Sequence, residues 1–470
     1  MDGSEFHRYL TVQPKDRFSY QNIYKNLRVV EHPPLYFMIL HTICSFFPNS
    51  FNKWYAGALN IVIFMLIYIA IYKLAKRVIG DEILALCATI FWGFSVIGLS
   101  TGVFLRLYVL QTLLYLCLAY MFIKIIQENE ASKKDLILVY LYSFLGIYNQ
   151  YNAIFFSFFA TVVAFIIFLK RKNIKLMLLL GGVMLLSVGT LFIVYPQVYD
   201  VLSKQWRAKQ VLSNLTQLGK GSDRTVMDVF YDIDIRATYI IKMVSEQLLA
   251  FNTTNYKASI FCLTILSTIL LCIPQKMKIE IKWLVATLIL YIIYLFSMPY
   301  MHIFYSRYYM GIMPFIAILT IMFLEKLLNL IKLEHKKINI VVSILVLLNV
   351  LNLNFFIKSP YSFKWGQSEQ DVYKKIQQQK VFIDRGQNFI WLHSMVYYLA
   401  KANKVYITED ICNEQAINNI LNTEQPIILT YASYIPKKRD HRSISCLHNI
   451  GIKYQTTICA SQHCYDVWEK

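Results

Sequence analysis

The sequence predicts an α-helical polytopic membrane protein with a small C-terminal α/β domain, and three observations predict it. The chain of 470 residues is 57% apolar and only 16% charged, whereas a soluble domain carries about a quarter charged residues. Apolar runs recur at the length needed to cross about 30 Å of hydrocarbon. From about Lys358 the composition reverts to that of a soluble domain.

The runs are continuous rather than alternating, which selects helices over a barrel. They fall at 52–76, 83–104, 106–126, 135–149, 151–169, 176–196, 258–274, 282–300, 307–331 and 338–357. Alternate connections between them are basic. One side carries Lys73, Lys76 and Arg77, then Lys124, Lys133 and Lys134, then Lys170, Arg171, Lys172 and Lys175. It continues with Lys276, Lys278 and Lys282, and with Lys326, Lys332, Lys336 and Lys337. The short connections on the other side hold only Arg106 and Arg307. The positive-inside rule makes the first side cytoplasmic. Much of the net charge of +19 is thereby topological, and no nucleic-acid partner is needed to explain it.

Counting crossings from that assignment places residues 1–51 outside and returns the chain outside after residue 357. The first thirty residues are polar and contain no signal-peptide core. An external amino terminus with nothing to export it leads to the expectation that a first spanning helix is missing, through truncation or a misplaced start codon. The apolar stretch 33–47 is too short and too Pro-flanked to span. The long external loop 197–257 contains a stretch, 226–251, with apolar residues at near-helical spacing around Asp228, Asp232, Asp234 and Arg236. That pattern predicts an amphipathic helix on the membrane surface. The expected division is therefore a juxtamembrane segment 1–51, a transmembrane domain 52–357 and an extracytoplasmic domain 358–470.

In the last of these, 381–384, 405–408, 427–431 and 454–459 are predicted strands. Segments 389–402 and 414–421 are predicted helices, an alternation that implies a partly parallel sheet. Cys412, Cys446, Cys459 and Cys464 fall in this domain. An oxidising compartment permits disulfides among them, while the spacing with His448 and His463 matches no tight zinc pattern.

Polar groups retained beside spans are the first candidates for chemistry. On the external side they gather at Glu31-His32-Pro33-Pro34-Leu35-Tyr36, at Arg106 and Tyr108, and at the turn 148–152. Further groups stand at Tyr195 and Arg207, and at His302 with Arg307 and Tyr308. A lipid-linked phosphate suits this collection, since its head group sits at the interface and its tail among the helices. Arg106 and Arg307 can each make bidentate, charge-assisted bonds to phosphate oxygens. Acceptor activation needs a carboxylate, and Asp2, Glu5, Asp16 and Glu31 stand ahead of the spans. Interfacial Arg and Tyr also occur as ordinary anchors, so the clustering carries more weight than any one residue.

The 31–36 string resembles the acidic-x-His-Pro-Pro-Leu-Tyr signature of polyprenyl-phosphate-dependent glycosyltransferases of the GT-C type. These include the dolichyl-phosphate-mannose protein mannosyltransferases and the bacterial aminoarabinose transferase of lipid A, a group similar to glycosyltransferase family 39. Arg106-Leu107-Tyr108 resembles an Arg-x-Tyr element of the family, and Ser306-Arg307-Tyr308 followed by Pro314 resembles a later Arg-Tyr…Pro element. The resemblance covers roughly residues 1–357. Glu31 sits directly before the histidine, where many relatives place Asp. By the same resemblance, Asp2 or Glu5 marks the remnant of the catalytic loop and supplies the base.

The resemblance implies inverting transfer of a sugar from a polyprenyl phosphate to a lipid, polysaccharide or protein acceptor outside the plasma membrane. Donor contacts would come from His32, Arg106, Tyr108, Arg207, His302, Arg307 and Tyr308, with no cofactor required and a divalent cation possible on an external carboxylate cluster. No nucleotide-binding Gly-rich loop is present to suggest a nucleotide donor. A polymerase or ligase using diphosphate-linked oligosaccharide shares most of these features. A lipid-linked sugar flippase would instead place ionisable groups at the bilayer midplane.

Overall fold

The computed structural model describes residues 3–27, 32–199, 248, 277–297, 306–356, 374–377, 379–384, 399–408, 410–432, 441–460 and 463–469. The amphipathic stretch 226–251, all but residue 248, and the apolar run 258–274 lie outside them. The chain divides into two compact units. One comprises Met1–Ser19, His41–Lys53 and Phe363–Lys470, the other Tyr20–Leu40 and Trp54–Ser362.

The larger unit is helical. After α1 (Gly3–Leu10), which belongs to the other unit, come α2 (Tyr20–Leu27), α3 (Leu35–Ser45, of the other unit from His41 on), α4 (Lys53–Ile79, all but its first residue in this unit), α5 (Glu82–Gly93) and α6 (Val96–Val103). They are followed by α7 (Tyr108–Glu128), α8 (Lys133–Asn149), α9 (Ala153–Lys170) and α10 (Ile174–Val194). The last three are α11 (Ile279–Ser297), α12 (Met313–Leu330) and α13 (His335–Phe356). Among the described residues, α4, α7, α9, α10 and α12 are long and apolar enough to cross a membrane. These helices are those of a multi-pass membrane protein. Ile61, Val62, Met65 and Leu66 on α4, and Leu178, Leu185 and Ile193 on α10, are exposed in the way lipid-facing side chains are.

The predicted span 83–104 is not one rod. It is α5 and α6, bent by 65°. The Ser95 hydroxyl accepts from Gly98 N at 3.1 Å, so it caps α6 while donating to Trp92 O at 2.6 Å. A side-chain carbon at Gly98 would stand 2.0 Å from Trp92 O, so the bend closes only around glycine. The surrounding residues are apolar on both sides, which is why the run reads as a single span.

Among the described residues, four tight turns at the basic end pass through the left-handed region. Gly80 (φ 92), Asn129 (φ 54), Lys172 (φ 58) and Lys332 (φ 59) each reverse the chain between consecutive helices. The helices restart on side-chain caps. Asp81 accepts from Leu84 N at 2.8 Å, Asn173 accepts from Leu176 N at 3.2 Å, and Ser132 with Asp135 forms a capping box. Polar pairs then tie these ends together. Arg77 reaches Gln127 and Glu128 at 2.7 and 2.6 Å, and Gln127 in turn donates to Glu280 at 2.9 Å.

In the smaller unit, β1 (Lys380–Asp384), β2 (Lys404–Thr408), β3 (Ile427–Ala432), β4 (Lys453–Ala460) and β5 (His463–Glu469) form one sheet of order β2-β1-β3-β5-β4. The pairs β1–β2 and β1–β3 are parallel, while β3–β5 and β4–β5 are antiparallel. Four strands match expectation and β5 is additional. Of the helices, α14 (Glu414–Leu421) is at its predicted place, α15 (His441–Asn449) is additional, and most of 389–402 lies outside the described residues. Neither Cys412 nor Cys446 is in a disulfide, and Cys459 and Cys464 are register partners across β4–β5.

Candidate functional site

Three segments of the helical unit converge at one end of the bundle. The first is the entry to α3. Pro33 and Pro34 are buried and lack N–H donors, and Pro34 O accepts from Met38 N at 2.8 Å as the helix starts. His32 stands just ahead of them, its ring 6.5 Å from that of Phe37. Burial, and then the positive charges of Arg106 and Arg307, hold its pKa down from 6.5 to about 4. At neutral pH the imidazole is therefore uncharged, with one N–H to donate and one lone pair to offer. Both guanidinium groups lie within electrostatic reach of it, although one is 74 and the other 275 positions further along the chain.

The second segment is the connection 104–107 between α6 and α7. Arg106 is exposed there, with its backbone N donating to Phe104 O at 2.7 Å. Tyr108, buried, opens α7 and stacks on Phe104 with ring centroids 5.7 Å apart.

The third is the 3-10 turn Ser306–Tyr308, just ahead of α12 and its Pro314. The Arg307 guanidinium carbon lies 5.3 Å from the centroid of the Tyr308 ring. Tyr308 in turn meets Tyr108 edge to face at 6.2 Å. The two arginine-bearing segments are thus joined through a pair of tyrosines.

Around them the same end of the bundle is rich in hydroxyls and amides. Tyr24 and Tyr148 share a hydrogen bond, and both rings pack against Tyr195 at 5.3 and 6.2 Å. Two positive charges near an uncharged imidazole are an arrangement that attracts anions. Among the described residues no carboxylate forms an ion pair with Arg106.

Of the residues expected from the sequence, His32, Arg106, Tyr108, Arg307 and Tyr308 are brought together. Glu5 is exposed on α1 and belongs to the other compact unit. Asp2, Glu31, Arg207 and His302 lie outside the described residues. Among the described residues no group of three or more His, Cys, Asp or Glu gathers. Sequence reasoning missed Asn60, which is fully buried and bonded to Tyr36 at 2.9 Å. The available signal was an amide in the middle of a helix otherwise rich in Ile, Leu and Tyr.

With that geometry in place, the likeness noted in the 31–36 string is met by a family model. The model for dolichyl-phosphate-mannose-protein mannosyltransferase matches residues 31–199, the stretch holding His32, Arg106 and Tyr108. No curated protein matches the chain. Among solved structures, ArnT from Cupriavidus metallidurans bound to undecaprenyl phosphate is similar at a TM-score of 0.40 and 10% identity, over 99% of this chain and 95% of that one. The apo state of the same ArnT is similar at a TM-score of 0.38, with the same identity and coverage.

Proposed function

We propose that the chain is a membrane glycosyltransferase that moves a sugar from a polyprenyl-phosphate carrier to an acceptor on the extracytoplasmic face, with inversion. The observation that carries this reading is the convergence of Arg106 and Arg307 on His32. Two permanent cations at a helix end, flanked by tyrosines, suit a phosphate held at the interface with its tail in the bilayer. The family model supports the same class of donor over residues 31–199.

Sidedness rests on α7. It runs from Tyr108 at the arginines to Glu128 among the basic connections, 21 residues or roughly 31 Å. The positive-inside rule assigns the Glu128 end to the cytoplasm and the arginine end to the outside. The expected localisation is the plasma membrane, with residues 358–470 extracytoplasmic.

In the proposed reaction a carboxylate takes the proton of the acceptor hydroxyl or amine as that atom attacks the anomeric carbon. The bond from this carbon to the phosphate oxygen breaks on the opposite face, and polyprenyl phosphate departs. Arg106 and Arg307 stabilise the charge gathering on the leaving oxygens. Neutral His32 adds a donor without a further charge. The carboxylate role falls to Glu31, one peptide bond from His32, with Glu5 and Asp2 as the other candidates. Arg207 and His302 are further donor contacts in this scheme.

The test is reconstitution of the full chain with a panel of radiolabelled polyprenyl-phosphate sugars, with membrane extract as acceptor source. Release of polyprenyl phosphate from one donor, abolished in Arg106→Ala and Glu31→Gln, establishes the reading. Turnover of a diphosphate-linked oligosaccharide, with no release from any monophosphate donor, replaces it with a polymerase or ligase.

A further inference from the structure

Arg106 presents an apparent contradiction: its side chain is exposed, yet the backbone on either side of it is held by buried amides. Before it, Asn60 on α4 donates to Gly102 O at 3.2 Å and to Phe104 O at 2.9 Å. After it, Asn149 at the end of α8 donates to Leu107 O at 3.0 Å and to the Gln111 side-chain oxygen at 3.0 Å. Both asparagines are 0% exposed. The Asn60 oxygen is also used, accepting from the Tyr36 hydroxyl at 2.9 Å. Tyr36 is itself buried, four residues after His32.

Burying a primary amide among apolar helices is costly unless its hydrogen bonds are made. Here the donors go to Gly102 O in the last turn of α6, to Phe104 O, which also accepts from Arg106 N at 2.7 Å, and to Leu107 O, which also accepts from Gln111 N at 3.0 Å. The carbonyls of Phe104 and Leu107 bracket Arg106. We propose that Asn60 and Asn149 are positioning residues that clamp the Arg106 connection from both sides. Through Tyr36, Asn60 also fixes that connection relative to His32. The inference rests on the functional reading above, because it assigns Arg106 to the donor phosphate. A guanidinium held by its backbone meets the phosphate without first ordering its loop. A displacement of about 1 Å at such a group costs up to about 100-fold.

The clamp is tested by the affinity of the full chain, purified in nanodiscs, for polyprenyl phosphate. Asn60→Leu and Asn149→Leu are each expected to weaken binding about tenfold. In an Arg106→Ala background the same substitutions are expected to add no further loss, since a clamp acts only through the residue it holds. Asn60→Asp serves where Asn60→Leu does not fold. It keeps the acceptor for Tyr36, removes the donors to the two carbonyls, and is expected to show the same dependence on Arg106. Losses that multiply in the double variants overturn the clamp and assign the asparagines to general packing. Unchanged affinity in Asn60→Leu and Asn149→Leu overturns it equally. Unchanged affinity in Arg106→Ala alone defeats the phosphate reading instead, so the two failures are distinguishable.

Discussion

Tyr108 and Tyr308 meet edge to face, with ring centroids 6.2 Å apart and planes at 88°. One opens α7 beside Arg106 and the other follows Arg307. The pair is the direct aromatic link between two segments separated by almost 200 positions.

That contact makes a prediction about shape rather than hydroxyl chemistry. An edge-to-face pair contributes about 0.5–1.5 kcal/mol beyond simple burial. Tyr308→Ala is expected to weaken polyprenyl-phosphate binding roughly threefold to tenfold, and Tyr308→Phe to leave it near the parent value. Equal losses in both variants would show that the hydroxyl, not the ring, matters.

The second prediction concerns His32. Its pKa is lowered to about 4 by burial and by Arg106 and Arg307, against about 6.5 in an unfolded chain. Between those values the unfolded chain holds the extra proton and the folded one does not. The His32 contribution to stability is therefore constant above pH 6.5, falls as pH drops from 6.5 to 4, and levels off below that. Arg106→Ala removes one of the depressing charges and is expected to raise the His32 pKa towards 6.5. Histidine NMR titration of the labelled protein reads this directly. An unmoved titration would break the proposed proximity of the two residues.

A third prediction separates two glycines on the broken span. A side-chain carbon at Gly98 would lie 2.0 Å from the backbone oxygen of Trp92, whereas at Gly93 it would meet the Tyr68 side chain, 2.2 Å from its hydroxyl. Overpacking costs about 1–3 kcal/mol when neighbours can shift. Gly93→Ala is expected to fall in that range and to be relieved by Tyr68→Leu. Gly98→Ala is expected to cost more, with no side-chain change restoring it. Thermal unfolding midpoints in detergent make the comparison, and rescue of Gly98→Ala by any neighbouring truncation would contradict it.

The fourth concerns the basic end. The Asp135 carboxylate, 3% exposed, accepts from Lys124 at 2.7 Å and from the Ser132 hydroxyl at 2.8 Å. Losing the cap in Ser132→Ala is expected to cost about 1 kcal/mol. Lys124→Met removes the cation from a carboxylate that keeps its Ser132 bonds, and is expected to cost about 1.5–2 kcal/mol. Lys124→Met combined with Asp135→Asn should recover much of that loss. A double variant as unstable as Lys124→Met would mean that the amine acts elsewhere.

The parts of this molecule legible in its sequence are those where composition and position coincide. Arg106 and Arg307 stood out as the only basic residues in the short connections of their side, and His32 through the prolines that follow it. Those three groups do converge. The break at Ser95 escaped because a serine and a glycine among apolar residues leave the hydropathy of 83–104 uninterrupted. Strand β5 escaped because it begins His463-Cys464-Tyr465-Asp466, without the apolar alternation of a half-buried strand. Asn60 escaped for another reason. The polar groups that mark chemistry in the sequence lie at the outer ends of the spans, whereas the amide acts from within a helix, on carbonyls that no sequence pattern marks. Even Tyr36, plain within its string, gave no hint that its hydroxyl is spent on an internal amide rather than a ligand.

The burial of α7 has a mechanical consequence. It is the most deeply enclosed of the five long apolar helices, while α4 and α10 are the least. A bilayer thinner or thicker than the protein's apolar belt is accommodated by tilt, snorkelling or local deformation of the lipid. Enclosed by neighbours, α7 cannot tilt without the whole bundle, so the adjustment falls on the outer helices. The depth of Arg106 relative to Glu128 is thereby insulated from membrane thickness, and acyl-chain length should alter how the protein partitions between membranes before it alters the spacing of its charged ends.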